Sequence, residues 1–208
     1  MSTGAVVTRV GVLALQGDVR EHSRMLVRLG ADVVLVRRPE ELEAVSGVIL
    51  PGGESGVIDK LAREFGLRLP ICAAIARGLP VYGTCAGLIL LADRIANPSP
   101  GQQSFGGLDI TVERNAFGRQ AESFETDLQV QGMERAVHAA FIRAPVVVER
   151  GPDVRAIATL PDGRVVAVRQ ENLLGTAFHP EATGETGFHE LFLEMIAART
   201  DGVDSVRV

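Results

Sequence analysis

The 208-residue chain is 46% hydrophobic, enough for one α/β domain with a sizeable core, and no apolar run approaches the roughly 18 residues of a membrane span. The net charge of -5 gives no support to nucleic-acid binding. Two cysteines, Cys72 and Cys85, do not make a disulfide framework, and with no leader pattern in residues 1–10 a cytoplasmic protein is expected.

Strand and helix patterns then alternate. A Val- and Leu-rich run over residues 6–15 ends at Gln16-Gly17 and reads as a strand. Residues 21–29 have helical spacing, with Met25, Leu26 and Leu29 on one face and Gly30 as a stop. Residues 32–36 predict a second strand, 39–44 a short helix and 47–50 a third strand. Pro51-Gly52-Gly53-Glu54-Ser55-Gly56 is a tight loop before a helix over 57–65. Residues 71–77 predict another helix, 80–82 a fourth strand and 86–95 a further helix. Continuous apolar strands separated by helices imply a mainly parallel sheet covered on both faces, a three-layer αβα fold.

The middle of the chain differs. Residues 97–107 are rich in Pro, Gly, Gln and Ser and read as a loop. From Ile110 to Val168, shorter strand-like pieces such as 127–130, 137–142 and 165–168 predict antiparallel additions on the same domain. A last helix is expected over 187–198, with a frayed tail at 201–208. No linker divides the chain, so residues 1–208 read as a single domain.

The richest motif is Gly83-Thr84-Cys85-Ala86-Gly87. A strand, a sharp glycine-flanked corner and a helix place the cysteine at a nucleophile elbow, G-x-C-x-G. The glycines allow a tight turn, and the N-terminus of the following helix favours thiolate. Taken alone, the pentapeptide fits a small buried core cysteine equally well. His179-Pro180-Glu181, at the end of a strand beginning at Leu173, breaks that tie. Histidine supplies the base a cysteine nucleophile needs, and the glutamate two residues on can fix its tautomer and orientation. Pro180 stiffens the turn between them. The Pro51 loop, the Cys85 corner and the His179 turn all follow strands, so all three can meet at the carboxyl edge of a parallel sheet. The Pro-Gly-Gly loop could also be an ordinary βα turn; it is not a nucleotide P-loop. No Cys/His spacing suggests zinc, and the chemistry needs no metal and no organic cofactor.

The elbow and the His-Pro-Glu turn resemble class I (triad) glutamine amidotransferases. Further stretches narrow the resemblance: Gly11 through His22, Pro51-Gly52-Gly53-Glu54-Ser55, Glu113 through Gln120, and Phe141-Ile142-Arg143-Ala144-Pro145. With these, the chain is similar to the glutaminase subunits of pyridoxal 5′-phosphate synthase over about residues 10–198. The resemblance implies a flavodoxin-like fold and hydrolysis of L-glutamine to L-glutamate and ammonia. The ammonia passes to a separate synthase subunit, a (β/α)8 barrel, whose docking raises the glutaminase activity. It implies catalytic Cys85, His179 and Glu181, and glutamine contacts at Gly53, Glu54, Ser55, Arg114, Ile142 and Arg143. The chemistry of acyl transfer agrees, and adds the backbone N–H groups of Gly53 and Ala86 as oxyanion donors. An arginine can grip the substrate carboxylate and Glu54 can face its ammonium, although such residues are more often solvated surface charge.

Gly56 departs from the family, which commonly has threonine there, and could loosen the next helix. Cys72 reads as a buried core thiol, and His138 and His189 as structural or surface residues. His22 matches the family without an independent chemistry of its own. Two other readings compete: a stand-alone cysteine hydrolase or peptidase on a related fold, and a non-catalytic binding or redox-sensing module that keeps the scaffold.

Overall fold

A computed structural model describes residues 7–114, 116 and 123–204, the side chains of 201–204 excepted. Residues 1–6 and 205–208 and most of the stretch from Asn115 to Gln120 fall outside it. In chain order, β1 (Arg9–Leu13), α1 (Val19–Arg28), β2 (Asp32–Val36), α2 (Pro39–Glu43) and β3 (Gly47–Leu50) come first. They are followed by α3 (Ser55–Glu64), α4 (Arg68–Ala76), β4 (Val81–Thr84) and α5 (Ala86–Leu91). Next are β5 (Ala92–Ala96), β6 (Leu108–Glu113), β7 (Phe124–Leu128), β8 (Val137–Phe141), β9 (Val146–Arg150) and β10 (Arg155–Thr159). The chain closes with β11 (Val165–Gln170), β12 (Leu173–Thr176), α6 (Pro180–Thr183) and α7 (Gly187–Asp204).

The main sheet runs β2-β1-β3-β4-β12-β11-β9-β6-β5, with β10 paired to β11 off that path. Its first five strands are mutually parallel. The joins of β12 to β11, β11 to β9 and β9 to β6 are antiparallel, as is the separate β7–β8 pair. The expected parallel sheet with antiparallel additions is therefore present. Every residue of β3, β4 and β12 is buried, as strands covered on both faces require. In β6 only alternate residues are fully buried.

Chain direction explains the layers. From β1 the path goes outward to β2, then back across β1 to β3 and on to β4. Right-handed crossovers taken in opposite directions lie on opposite faces of a sheet, which puts α1 on one face and α2 to α4 on the other. Contacts agree: α2 and α3 pack on α4 and α3 packs on α5, while α1 packs on α6. His22 of α1 also touches His189 of α7.

Two expectations need correction. The helix after the elbow stops at Leu91 rather than Ile95, and residues 92–96 form β5 against β6. Helical propensity there yields to tertiary pairing: Arg94 Nε donates to Thr111 Oγ1 and its guanidinium bridges Asp109, while Asp93 accepts from Gly107 N–H. The final helix, expected to end near Ala198 with residues 201–208 as a tail, continues to Asp204.

The helix expected from Val57 begins at Ser55, so Gly56 is its second residue. Among the described residues, a Cβ built at Gly56 meets nothing closer than 3.5 Å, at Ser99. Gly56→Ala therefore gains helix propensity without a clash and should stabilise the fold by about 0.5 kcal/mol. A rise in the urea midpoint at constant slope checks this.

Candidate active site

Four neighbouring strands build the site. β1, β3, β4 and β12 lie side by side and point the same way. Their C-terminal ends therefore deliver Gln16 to Asp18, the Pro51 loop, Cys85 and His179 to one edge. A cavity of about 350 Å³ opens there, lined by Gln16, Asp18, Glu21, Gly53, Glu54, Ser55, Cys85, Ile89, Arg114, Ile142, Arg143, His179, Glu181 and Ala182. Every side chain singled out in the sequence for catalysis or glutamine contact is in that lining. Ala86 is buried behind it.

Cys85 sits at the corner with φ 48° and ψ -98°, a strained conformation for a residue with a Cβ. The flanking glycines permit it by close approach. A Cβ on Gly83 would lie 2.5 Å from the Gly87 carbonyl group, and one on Gly87 would lie 2.0 Å from the Leu50 oxygen. Cys85 N–H donates to Thr176 O on β12 at 2.8 Å, and Ile89 N–H makes the first turn of α5 by donating to Cys85 O at 3.2 Å. The N–H groups of Ala86, Gly87 and Leu88 therefore have no partner within the helix. α5 has six residues rather than the ten expected, so local N–H groups, more than a long helix dipole, act on the sulfur.

His179 N–H donates to Ala140 O and so ties the β12 exit to β8. Its Nδ1 donates to Glu181 Oε1 at 2.8 Å and lies 3.3 Å from Asp18 Oδ2. Burial alone would lower the pKa of His179, but contacts with Asp18, Cys85 and Glu181 outweigh it and hold the pKa well above the ordinary value. The imidazolium form is thus favoured beside the sulfur. Burial pushes the Glu181 carboxyl upward, against the pull of His179; its side chain is only 1% exposed and Oε2 has no hydrogen-bond partner among the described residues. The donor atoms of Asp18, His179 and Glu181 lie within 4.8 Å of one another. A cation could use them only by displacing the Nδ1 proton that Glu181 accepts.

Beneath the triad runs a buried polar chain that the sequence did not reveal. His22 Nδ1 is 2.9 Å from His189 Nε2, and His22 Nε2 is 3.1 Å from Thr84 Oγ1 and 3.5 Å from Glu181 Oε1. Burial holds both rings below the ordinary histidine pKa, His189 at about 4, so each carries one proton at neutral pH. Glu181 accepts only, which places the His22 proton on Nε2. His22 Nδ1 then accepts from His189 Nε2–H, and the bare Nδ1 of His189 is the atom left without a partner. His189 is therefore structural and buried, and His22 supports Glu181. Exposed His138 is held by Asp127 and Glu125 on β7.

The pH consequence has a definite sign. The unfolded chain binds protons at His189 near pH 6.5, but the folded chain does so only near 4, so His189 lowers stability as the pH falls through that window. His189→Gln should therefore close its stability gap to the parent by about 2 kcal/mol between pH 7 and pH 5. Urea denaturation at the two pH values checks the difference, which removes the opposing contributions of Glu181 and His179.

Elsewhere in the cavity lining, Arg143 Nη2 donates to Glu54 Oε1 at 3.3 Å and Arg114 Nη1 to Ser99 Oγ at 2.6 Å. Ser55 Oγ accepts from Gln102 Nε2 at 2.9 Å, and Ile142 is exposed. Glu54 N–H donates to Gln16 Oε1 at 2.9 Å. Gln16, Asp18 and Glu21 are pocket residues that the sequence had not assigned. The signals for them were the Gln16-Gly17 strand end and the stretch Gly11 through His22, which contains all three and carried part of the family resemblance. Cys72 is half-buried on α4, its thiol donating to Phe105 O at 3.3 Å, and burial raises its pKa. Among the described residues no helix is long and apolar enough to cross a membrane.

A family model described as the SNO glutamine amidotransferase family matches residues 12–198. A protein of Leifsonia xyli subsp. xyli named pyridoxal 5′-phosphate synthase subunit PdxT is 63% identical over 92% of this chain and 97% of its own. A protein of the same name from Clavibacter michiganensis subsp. michiganensis is 60% identical over 92% and 93%. A solved structure titled as that of a glutamine amidotransferase superposes with a TM-score of 0.85 at 48% identity, covering 90% of this chain and 98% of the other.

Proposed function

Because the chain belongs to the SNO glutamine amidotransferase family, we propose that it is the glutaminase subunit of a pyridoxal 5′-phosphate synthase. It hydrolyses L-glutamine and hands the ammonia to a separate synthase subunit. The observation that carries this reading is the meeting of Cys85, His179 and Glu181 in one cavity with all six expected glutamine contacts.

The Cys85 thiolate attacks the side-chain amide carbon of glutamine. The oxyanion that forms accepts from the backbone N–H groups of Gly53 and Ala86. His179 protonates the departing nitrogen as ammonia leaves, giving a thioester. It then takes a proton from water, which attacks the thioester and releases glutamate. Glu181 keeps Nδ1 protonated, so that Nε2 is the working nitrogen. The Glu54–Arg143 ion pair suits a zwitterion: the substrate ammonium turns to Glu54 and its carboxylate to Arg143 and Arg114. Ser55 and Ile142 close the same end. The whole chain acts as one glutaminase domain in the reducing cytoplasm, and its partner is a (β/α)8 barrel.

Ammonia and glutamate release, measured with and without a pyridoxal 5′-phosphate synthase partner, tests the reading. Release that needs Cys85 and rises on adding the partner supports it. Peptide cleavage without any glutaminase activity refutes it in favour of a stand-alone hydrolase.

A further inference from the structure

Asp18 occupies the N-cap of α1, yet its side chain makes no cap hydrogen bond. Aspartate is among the strongest N-cap residues because its carboxylate accepts from the first free N–H groups of its own helix. Here Oδ2 is placed instead 3.3 Å from His179 Nδ1. We propose that Asp18 is a positioning residue, a second carboxylate whose charge lies beside the Nδ1–H that Glu181 accepts and steadies the imidazolium. This inference rests on the glutaminase reading above.

Backbone around Asp18 is built for that approach. Its N–H donates to Gly52 O at 3.1 Å. Gly17, at φ 103°, would carry a Cβ only 1.7 Å from the same oxygen. A Cβ on Gly52 would come within 2.7 Å of Asp18 Oδ2 and 2.4 Å of His179 Cε1. Two bare backbone positions, Gly17 and Gly52, and the bond from Asp18 N–H to Gly52 O thus let α1, the Pro51 loop and His179 converge. The two carboxylates differ in setting: the Glu181 side chain is almost wholly buried at the cavity wall, whereas that of Asp18 is 40% exposed and faces the cavity. Glu181 fixes the ring; Asp18 adds negative charge on the wet side, where the imidazolium forms. Other ionisable groups facing His179 are Cys85 at the start of α5, Glu181 on α6 and neutral His22 on α1. Glu21, Glu54, Arg114 and Arg143 line the same cavity.

Asp18→Asn keeps the shape and removes the charge. With the full chain and its synthase partner, kcat for glutamine should fall about 3- to 10-fold with KM unchanged. Loss of an anion lets the imidazolium deprotonate earlier, so the descending alkaline limb should move acidward by about one pH unit. In a Glu181→Gln background, where Asp18 is the remaining carboxylate, the same substitution should cost more, at least about 30-fold. Nitrogen-15 NMR of the His179 ring in the free full-length chain should show the same acidward shift, independent of turnover. An unmoved ring titration overturns the proposal whatever the rates do, since lost docking or stability would lower activity without changing it. Equal costs in both backgrounds likewise overturn it. If the parent chain releases no ammonia from glutamine, the glutaminase reading fails separately, while the ring titration still decides whether Asp18 acts on His179.

Discussion

Cys85→Ala should abolish ammonia release from glutamine, by at least about 10⁴-fold, because neither water nor a neighbouring hydroxyl replaces a positioned thiolate. Folding should be retained, since the side chain is small and the corner is set by Gly83, Gly87 and the Cys85 N–H bond to Thr176. The strain at φ 48° adds a second expectation. Glycine usually destabilises relative to alanine by about 0.5–1 kcal/mol. At position 85 the order reverses: Cys85→Gly should be more stable than Cys85→Ala by about 1 kcal/mol, because only glycine occupies that backbone without strain. Thermal melting of the two inactive variants checks the sign, and the usual order would remove the claim that the corner holds strain for function.

Gly52→Ala is expected to be strongly damaging without touching Cys85. Its new methyl group would lie 2.4 Å from His179 Cε1 and 2.8 Å from Nδ1. The ring is buried between Glu181 and Cys85, so it must shift by a substantial fraction of an ångström. Such a displacement costs on the order of 10²-fold in rate. The expected result is a fall of 10²- to 10³-fold in kcat with native circular dichroism, measured as ammonia release with the synthase partner present. Gly56→Ala, four residues along the same segment and free of clashes, is the matched control and should retain activity.

The grouping of Cys85, His179 and Glu181 was legible because it is local in sequence, whereas the other residues expected in the cavity came from the family resemblance. The elbow is a pentapeptide, and His179 and Glu181 are two residues apart, so residue type and spacing carried the proposed triad. Parallel strands did the rest, since successive strand ends fall on one edge. The fold was legible for the same reason, down to β2 and β3, whose bounds match the expected ones. What stayed hidden depends on contacts between distant segments. Asp18 looks like an ordinary helix cap, and only the bare backbone at Gly52 turns it toward His179. His22 and His189 are 167 residues apart, and neither has a local pattern that distinguishes a core histidine from a surface one. β5 was hidden because residues 92–96 carry a good helical pattern, and only pairing with β6 makes them a strand. Cys72 was expected to be core, yet it is half-buried and held by the Phe105 carbonyl.

The two thiols allow one decisive measurement. A glutamine-analogue electrophile, incubated with the parent chain and its synthase partner and followed by peptide mass spectrometry, should place a single adduct on Cys85, blocked by excess glutamine. Cys72, with its thiol protonated and bound to Phe105 O, should stay unlabelled. Adduct on Cys72 alone, or labelling of Cys85 that glutamine does not compete away, would contradict a glutamine-binding nucleophile at the corner between β4 and α5.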